Sequence, residues 1–206
     1  DLAVRAQMWF GGKEIYNGGG LIRVANQLST QIARSNVQGQ AFVKYRYNDK
    51  NSNKNTTTLF ALGAGSTALD LDRVLVLTSA SSCSSSELVI NSLAPFIDVV
   101  QIGATTCGKP VGQQPDIIGD YVLFAINFQT LNALDQGDYF DGLIPECPVE
   151  PAITGDWGAE NDPLYATAID YIASGSCNGV AVGRASVQLD AVKPLLATPW
   201  KINNEQ

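Results

Sequence analysis

The amino-acid sequence predicts an α/β fold, and three observations carry that prediction. RVLVLTS, from Arg73, is a short continuous apolar run of the kind that lies in a sheet covered on both faces, and VVQIG, from Val99, is a second. Between them SELVINSL has apolar residues at helical spacing and stops before Pro95. Strand and helix patterns then continue to alternate along the chain instead of segregating, which favours the α/β class.

The elements follow in order. From Gly19, GGLIRVANQLSTQIAR places Leu21, Val24, Ala25, Leu28 and Ile32 at helical spacing behind a glycine-rich start. AFVKYRYN (Ala41 to Asn48) is rich in strand formers, and the polar NDKNSNKNTTT that follows predicts an exposed hairpin tip or loop. After RVLVLTS, SELVINSL and VVQIG comes a further strand, YVLFAINFQT. DPLYATAIDYIASG is then a helix with Asp162 as N-cap, Pro163 at the first helical position and Gly175 near its end. The stretch from Ser176 to Gln206 is weakly patterned and receives no element. No repeat or heptad array is present.

Composition limits the function. A chain of 206 residues with 45% hydrophobic and 16% charged residues is long enough to bury a core and fits one domain. A formal net charge of −7, without a cluster of Lys or Arg among aromatics, argues against nucleic acid as a partner. No run reaches the ~18 apolar residues of a membrane span. The opening DLAVRAQ lacks the basic-then-apolar layout of a signal peptide, so an exported protein would be represented here in its mature form.

The most informative absence is histidine, of which there is none. Ser-His-Asp and Cys-His catalysis are excluded, together with histidine-rich zinc sites. An activated nucleophile needs another base, and lysine is the usual substitute, since a partly desolvated ammonium gives up its proton more readily. The four cysteines, Cys83, Cys107, Cys147 and Cys177, form neither a CxxC knuckle nor a redox pair. They fit buried thiols or two disulfides, and Cys147 with Cys177 is one pairing.

Two stretches concentrate the chemistry. In VLVLTSASSCSSSELVI (residues 74–90), a strand ending near Thr78 and a helix starting near Ser85 leave Ser82 to Ser84 in the turn between them. There the unpartnered N–H groups of the first helical turn can stabilise an oxyanion. The arrangement is that of a nucleophile elbow without its G-x-S-x-G pattern; serines that simply cap the helix, with Glu87 supporting its first turn, would leave the same sequence. In QIGATTCGKPVGQQP, Lys109 follows Ser84 by 25 residues in a turn flanked by Gly and Pro, with Gln113 and Gln114 beyond. An apolar strand upstream and few charges nearby would give it an apolar setting, whereas a loop lysine by itself is usually a solvated surface charge.

At these two stretches the chain resembles peptidase family S41, the tail-specific or C-terminal-processing proteases. The family pattern is S-A-S-A-S-E before an apolar helix, then I-G-x-x-T-x-G-K with a Gln four residues after the Lys. Here it stands as Ser82-Cys83-Ser84-Ser85-Ser86-Glu87, then Ile102-Gly103-Ala104-Thr105-Thr106-Cys107-Gly108-Lys109, then Gln113. The resemblance implies Ser84 as nucleophile, Lys109 as its general base and Gln113 as the residue that orients the lysine. Tyr16-Asn17-Gly18-Gly19-Gly20 is similar to the family's D-L-R-x-N-x-G-G segment, although the Asp and Arg are missing. That similarity implies an oxyanion N–H from Gly19 or Gly20, with the second from Ser85. Gly142-Leu143-Ile144-Pro145 resembles the family's G-I-x-P turn and Asp162-Pro163-Leu164 the start of its closing helix.

The resemblance covers most of residues 16 to 175 and implies a single S41-type catalytic domain over residues 1–206, with 176–206 an unassigned tail and no recognisable PDZ-like domain. The implied fold is the ClpP/crotonase-like spiral core of ββα units. The implied activity is a serine endopeptidase that hydrolyses a peptide or protein substrate through an acyl-enzyme, with no metal or cofactor. The implied location is outside the cytoplasm, in the periplasm, cell envelope or medium. Where Ser84 and Lys109 meet, Cys83 and Cys107 come close enough for a disulfide behind the site. Two other functions share such a fold, a module that binds a peptide or small apolar ligand and a crotonase-like hydrolase of thioesters. Ser84→Ala separates the latter from a peptidase, because thioester chemistry on oxyanion N–H groups needs no serine.

Overall fold

A computed structural model of the chain describes residues 20–63, 68–152, 159 and 161–177. Helix α1 (Ile22–Val37) leads into strand β1 (Ala41–Arg46), a short 3-10 helix (Asp49–Lys54) and strand β2 (Thr56–Leu59). Strand β3 (Arg73–Thr78), helix α2 (Ser85–Leu93) and strand β4 (Asp98–Gly103) follow. The chain then forms a long hairpin of β5 (Val111–Ile118) and β6 (Tyr121–Leu131), a two-residue strand β7 (Cys147–Pro148) and helix α3 (Pro163–Ser174). No helix among the described residues is long and apolar enough to cross a membrane.

Two sheets result. One is antiparallel, in the order β2-β1-β6-β5, and the other is parallel, in the order β3-β4-β7. The uninterrupted apolar run of β3 is explained by its two covered faces. Val74 and Val76 enter a core with Ala25, Leu28 and Ile32 of α1, Phe42 of β1, and Leu88, Val89 and Leu93 of α2. Leu75 and Leu77 face the opposite way, into a core with Val100, Ile102, Leu164, Ala168 and Tyr171. α1 and α2 thus cover one face of the parallel sheet and α3 the other, as successive side chains of a strand require. This is the mixed α/β core expected of the ClpP/crotonase-like type.

Local detail sharpens these expectations and changes one of them. In α1, Leu21 and Val24 are exposed, and the inward face is carried by Ala25, Leu28, Ile32, Ala33 and Val37. The polar stretch after Arg46 is the exposed hairpin tip of the two expected alternatives, a 3-10 helix between β1 and β2, with Thr56 to Thr58 already paired to β1. The segment beyond the Lys109 turn, to which the sequence assigned no element, is strand β5, joined to β6 from Val111↔Gln129 to Ile118↔Tyr121. α3 conforms to its signals. The Asp162 carboxylate accepts from the N–H groups of Leu164 and Tyr165, and Gly175 ends the helix at φ 69°. Tyr16 to Gly19, and the tail from residue 178 onward, lie outside the described residues.

Candidate active site

The turn from β3 into α2 is closed by serines with separate tasks. Ser82 is buried; its hydroxyl accepts the Ser79 N–H at 3.0 Å and its carbonyl accepts the Cys107 N–H at 3.0 Å. Ser84 is the half-buried N-cap, with φ 57° and ψ −117°. An L-residue at positive φ costs on the order of 1–3 kcal/mol and persists only where its surroundings impose it. Ser85, buried at the first position of α2, donates its hydroxyl to the Gly20 carbonyl at 2.7 Å.

What imposes the Ser84 conformation is Glu87. Its side chain is fully buried, on a helix whose polar and apolar residues alike are buried. One carboxylate oxygen, Oε2, accepts the Ser84 N–H at 2.8 Å and the Lys109 N–H at 2.9 Å. The other, Oε1, accepts the Thr106 hydroxyl at 2.6 Å and the Gly108 N–H at 2.8 Å. One acidic group therefore clasps the serine turn to the lysine turn. Sequence reasoning gave Glu87 only a supporting role in the first helical turn. The available signal was a lone acidic residue beside Leu88-Val89-Ile90, with no basic partner at helical spacing.

The same two turns are joined covalently by a disulfide between Cys83 and Cys107, and a second links Cys147 to Cys177. Gly108 is required where it stands. Its φ is +78°, and a Cβ there would lie 2.1 Å from the Phe140 carbonyl oxygen. The Gly142-Leu143 turn is pinned beside it, since the Leu143 N–H donates to the Thr106 hydroxyl at 2.7 Å and the Thr106 N–H to the Leu143 carbonyl at 3.1 Å.

Ser84 and Lys109 line one cleft of about 610 Å3, together with Gly20, Ser85 and Gln113. Its remaining wall is largely apolar, built from Leu21, Leu88, Val111 and the rings of Tyr45, Tyr47, Phe124 and Phe128. Tyr45 and Phe128 hold each other edge-to-face with centroids 5.0 Å apart. Tyr45 comes from β1, Tyr47 from just beyond its end, and Phe124 and Phe128 from β6, all outside the two motifs in sequence. Two placements differ from expectation. Lys109 is exposed, not enclosed in an apolar setting, because five residues separate it from the end of β4. Gln113 lies on β5, and its amide Nε2 donates to the Phe124 carbonyl at 3.1 Å, so the structure does not bring that donor to the lysine. Gly19, the alternative oxyanion donor, lies outside the described residues.

Tyr139 sits behind the clasp. Burial pushes its phenol well above the ordinary tyrosine range, reinforced by the Glu87 charge and opposed by Thr130. Such a group keeps its proton in the folded chain when the unfolded chain has lost it, so stability falls as pH rises past about 10. The melting temperature of Tyr139→Phe should therefore decline less steeply above about pH 10 than that of the wild type. Parallel declines in a thermal titration would show that Tyr139 contributes nothing to alkaline unfolding.

The sequence model of peptidase family S41 matches residues 16–149, a span that holds both turns, the clasp and the cleft. The chain belongs to peptidase family S41. Among solved structures it is similar to a candidate S41 protease from Bacteroides fragilis NCTC 9343, with 29% identity and a TM-score of 0.69. That match covers 78% of this chain and 43% of the neighbour, so the S41 chain described here spans less than half the neighbour's length. A lipoprotein from Streptococcus agalactiae is a more distant match, at 14% identity and a TM-score of 0.48, over 64% of this chain and 46% of that one. No curated protein matches.

Proposed function

We propose that this S41 chain is the catalytic domain of a serine endopeptidase in which Ser84 is the nucleophile and Lys109 the general base. The observation that carries the proposal is the Ser84 conformation. A non-glycine residue at φ 57° faces a cleft with a lysine on its rim, and both turns are fixed by one buried carboxylate. A serine that merely capped a helix would need no positive φ.

Ser84 Oγ attacks the peptide carbonyl as neutral Lys109 takes its proton, and the N–H groups of Ser85 and Gly20 hold the oxyanion. Lys109 then protonates the leaving amine, and water repeats the sequence on the acyl-enzyme. A substrate filling the cleft covers the exposed Lys109 and displaces water from it, which the described residues do not do by themselves. Gln113 contributes through its remaining amide oxygen or after leaving Phe124. The aromatic wall favours apolar side chains beside the scissile bond. Two disulfides fit an exported protein of the periplasm, envelope or medium.

A fluorophosphonate tests the proposal. At pH about 8.5 the intact mass should rise by one adduct that peptide mapping assigns to Ser84, and the rate should climb as pH increases, since only neutral lysine accepts a proton. An unlabelled protein would refute the assignment, and so would a rate that stays flat from about pH 5 to 9.

A further inference from the structure

Ser85 occupies a position where the S41 pattern has alanine, and its hydroxyl makes a contact that alanine cannot. The side chain is 2% exposed and reaches across 65 residues of sequence to the Gly20 carbonyl at 2.7 Å. Gly20 is exposed, has φ +96°, and has open space where a Cβ would stand. Steric packing therefore does not fix it. Among the described residues no other hydrogen bond holds Gly20, which leaves the Ser85 hydroxyl as the tether between the glycine-rich entry of α1 and the N-terminus of α2.

We infer that Ser85 Oγ is a positioning group for the oxyanion pocket. The inference rests on the serine-peptidase reading above and deepens it. Ser85 presents its own N–H at the start of α2, where no helical acceptor is available. Its hydroxyl at the same time anchors the Gly20 carbonyl, and through the Gly20 Cα limits where the Gly20 N–H, the opposing donor, can lie. One residue thereby bears on both donors. A donor contributes fully only when it is already placed where the charge develops, so a Gly20 free to rotate would be present but poorly aimed.

Removing the hydroxyl should harm the chemistry more than the fold. Gly20 is exposed, and water can replace Ser85 at its carbonyl. The test uses a fluorophosphonate at varied concentration, which separates its reversible affinity from its maximal rate. In that reaction Ser84 Oγ bonds to phosphorus, fluoride departs, and the hydroxyl proton passes to Lys109. Ser85→Ala should lower the maximal rate by about 10- to 100-fold while affinity and melting temperature change little. Ser85→Thr, which keeps a hydroxyl, should recover most of that rate. An unchanged maximal rate in Ser85→Ala overturns the inference alone, as does a loss that appears only in affinity or in melting temperature. Absence of labelling in the wild type overturns the serine-peptidase reading, and this inference with it.

Discussion

Glu87→Ala is expected to destabilise the chain more than any other single change near the cleft. Four donors converge on that carboxylate, the N–H groups of Ser84, Gly108 and Lys109 and the hydroxyl of Thr106. Alanine leaves them facing a void in a site with no exposure. A buried donor without a partner costs about 1–3 kcal/mol, and bonds to a charged acceptor lie at the upper end. Even with partial relaxation the loss should be on the order of 4 kcal/mol. For a chain of this length that lowers the melting temperature by roughly 10 °C.

Glu87→Gln is the more discriminating substitution, because its shape is retained. An amide offers one acceptor oxygen where the carboxylate offers two. With the oxygen on Ser84 and Lys109, the amide nitrogen faces Thr106, whose hydroxyl can turn to accept, and Gly108, whose N–H cannot. The reverse orientation opposes two backbone donors. Either way one turn loses its hold. Glu87→Gln should melt below the wild type but above Glu87→Ala, and react with a fluorophosphonate at least about 10-fold more slowly than the wild type. A variant that melts and reacts like the wild type would show that the clasp is dispensable to both.

The parts that sequence disclosed and the parts it hid differ for physical reasons. β3, α2 and β4 were legible because a covered strand must be apolar on both faces and Pro95 ends the helix. α3 was legible from its Asp162-Pro163 start and Gly175 stop, which are local interactions. β5 was not, because VGQQPDII has no strand periodicity of its own and its strand state comes from pairing with β6. The same non-locality hid the cleft's aromatic wall and the Ser85 tether. The resemblance at the two motifs implied that Ser84 and Lys109 share a site, and both line the cleft, whereas the exposure of Lys109 depends on how the loop after Gly103 runs.

Ser84→Ala should abolish labelling altogether, and Lys109→Ala should slow it by about 10²- to 10⁴-fold, the usual range for a general base. Lys109→Arg should restore nothing, because a guanidinium keeps its proton at any working pH. The double variant should be no worse than Ser84→Ala, since the pair acts as one unit. Stability separates this role from a structural one. Ser84→Ala keeps an L-residue at φ 57°, whereas Ser84→Gly removes that strain and still supplies an acceptable N-cap. Ser84→Gly should therefore be inert toward the probe and yet melt above Ser84→Ala, by about 1 kcal/mol of stability or more. If glycine instead lowers the melting temperature, the Ser84 side chain holds the turn together, and its strained backbone is no sign of a nucleophile.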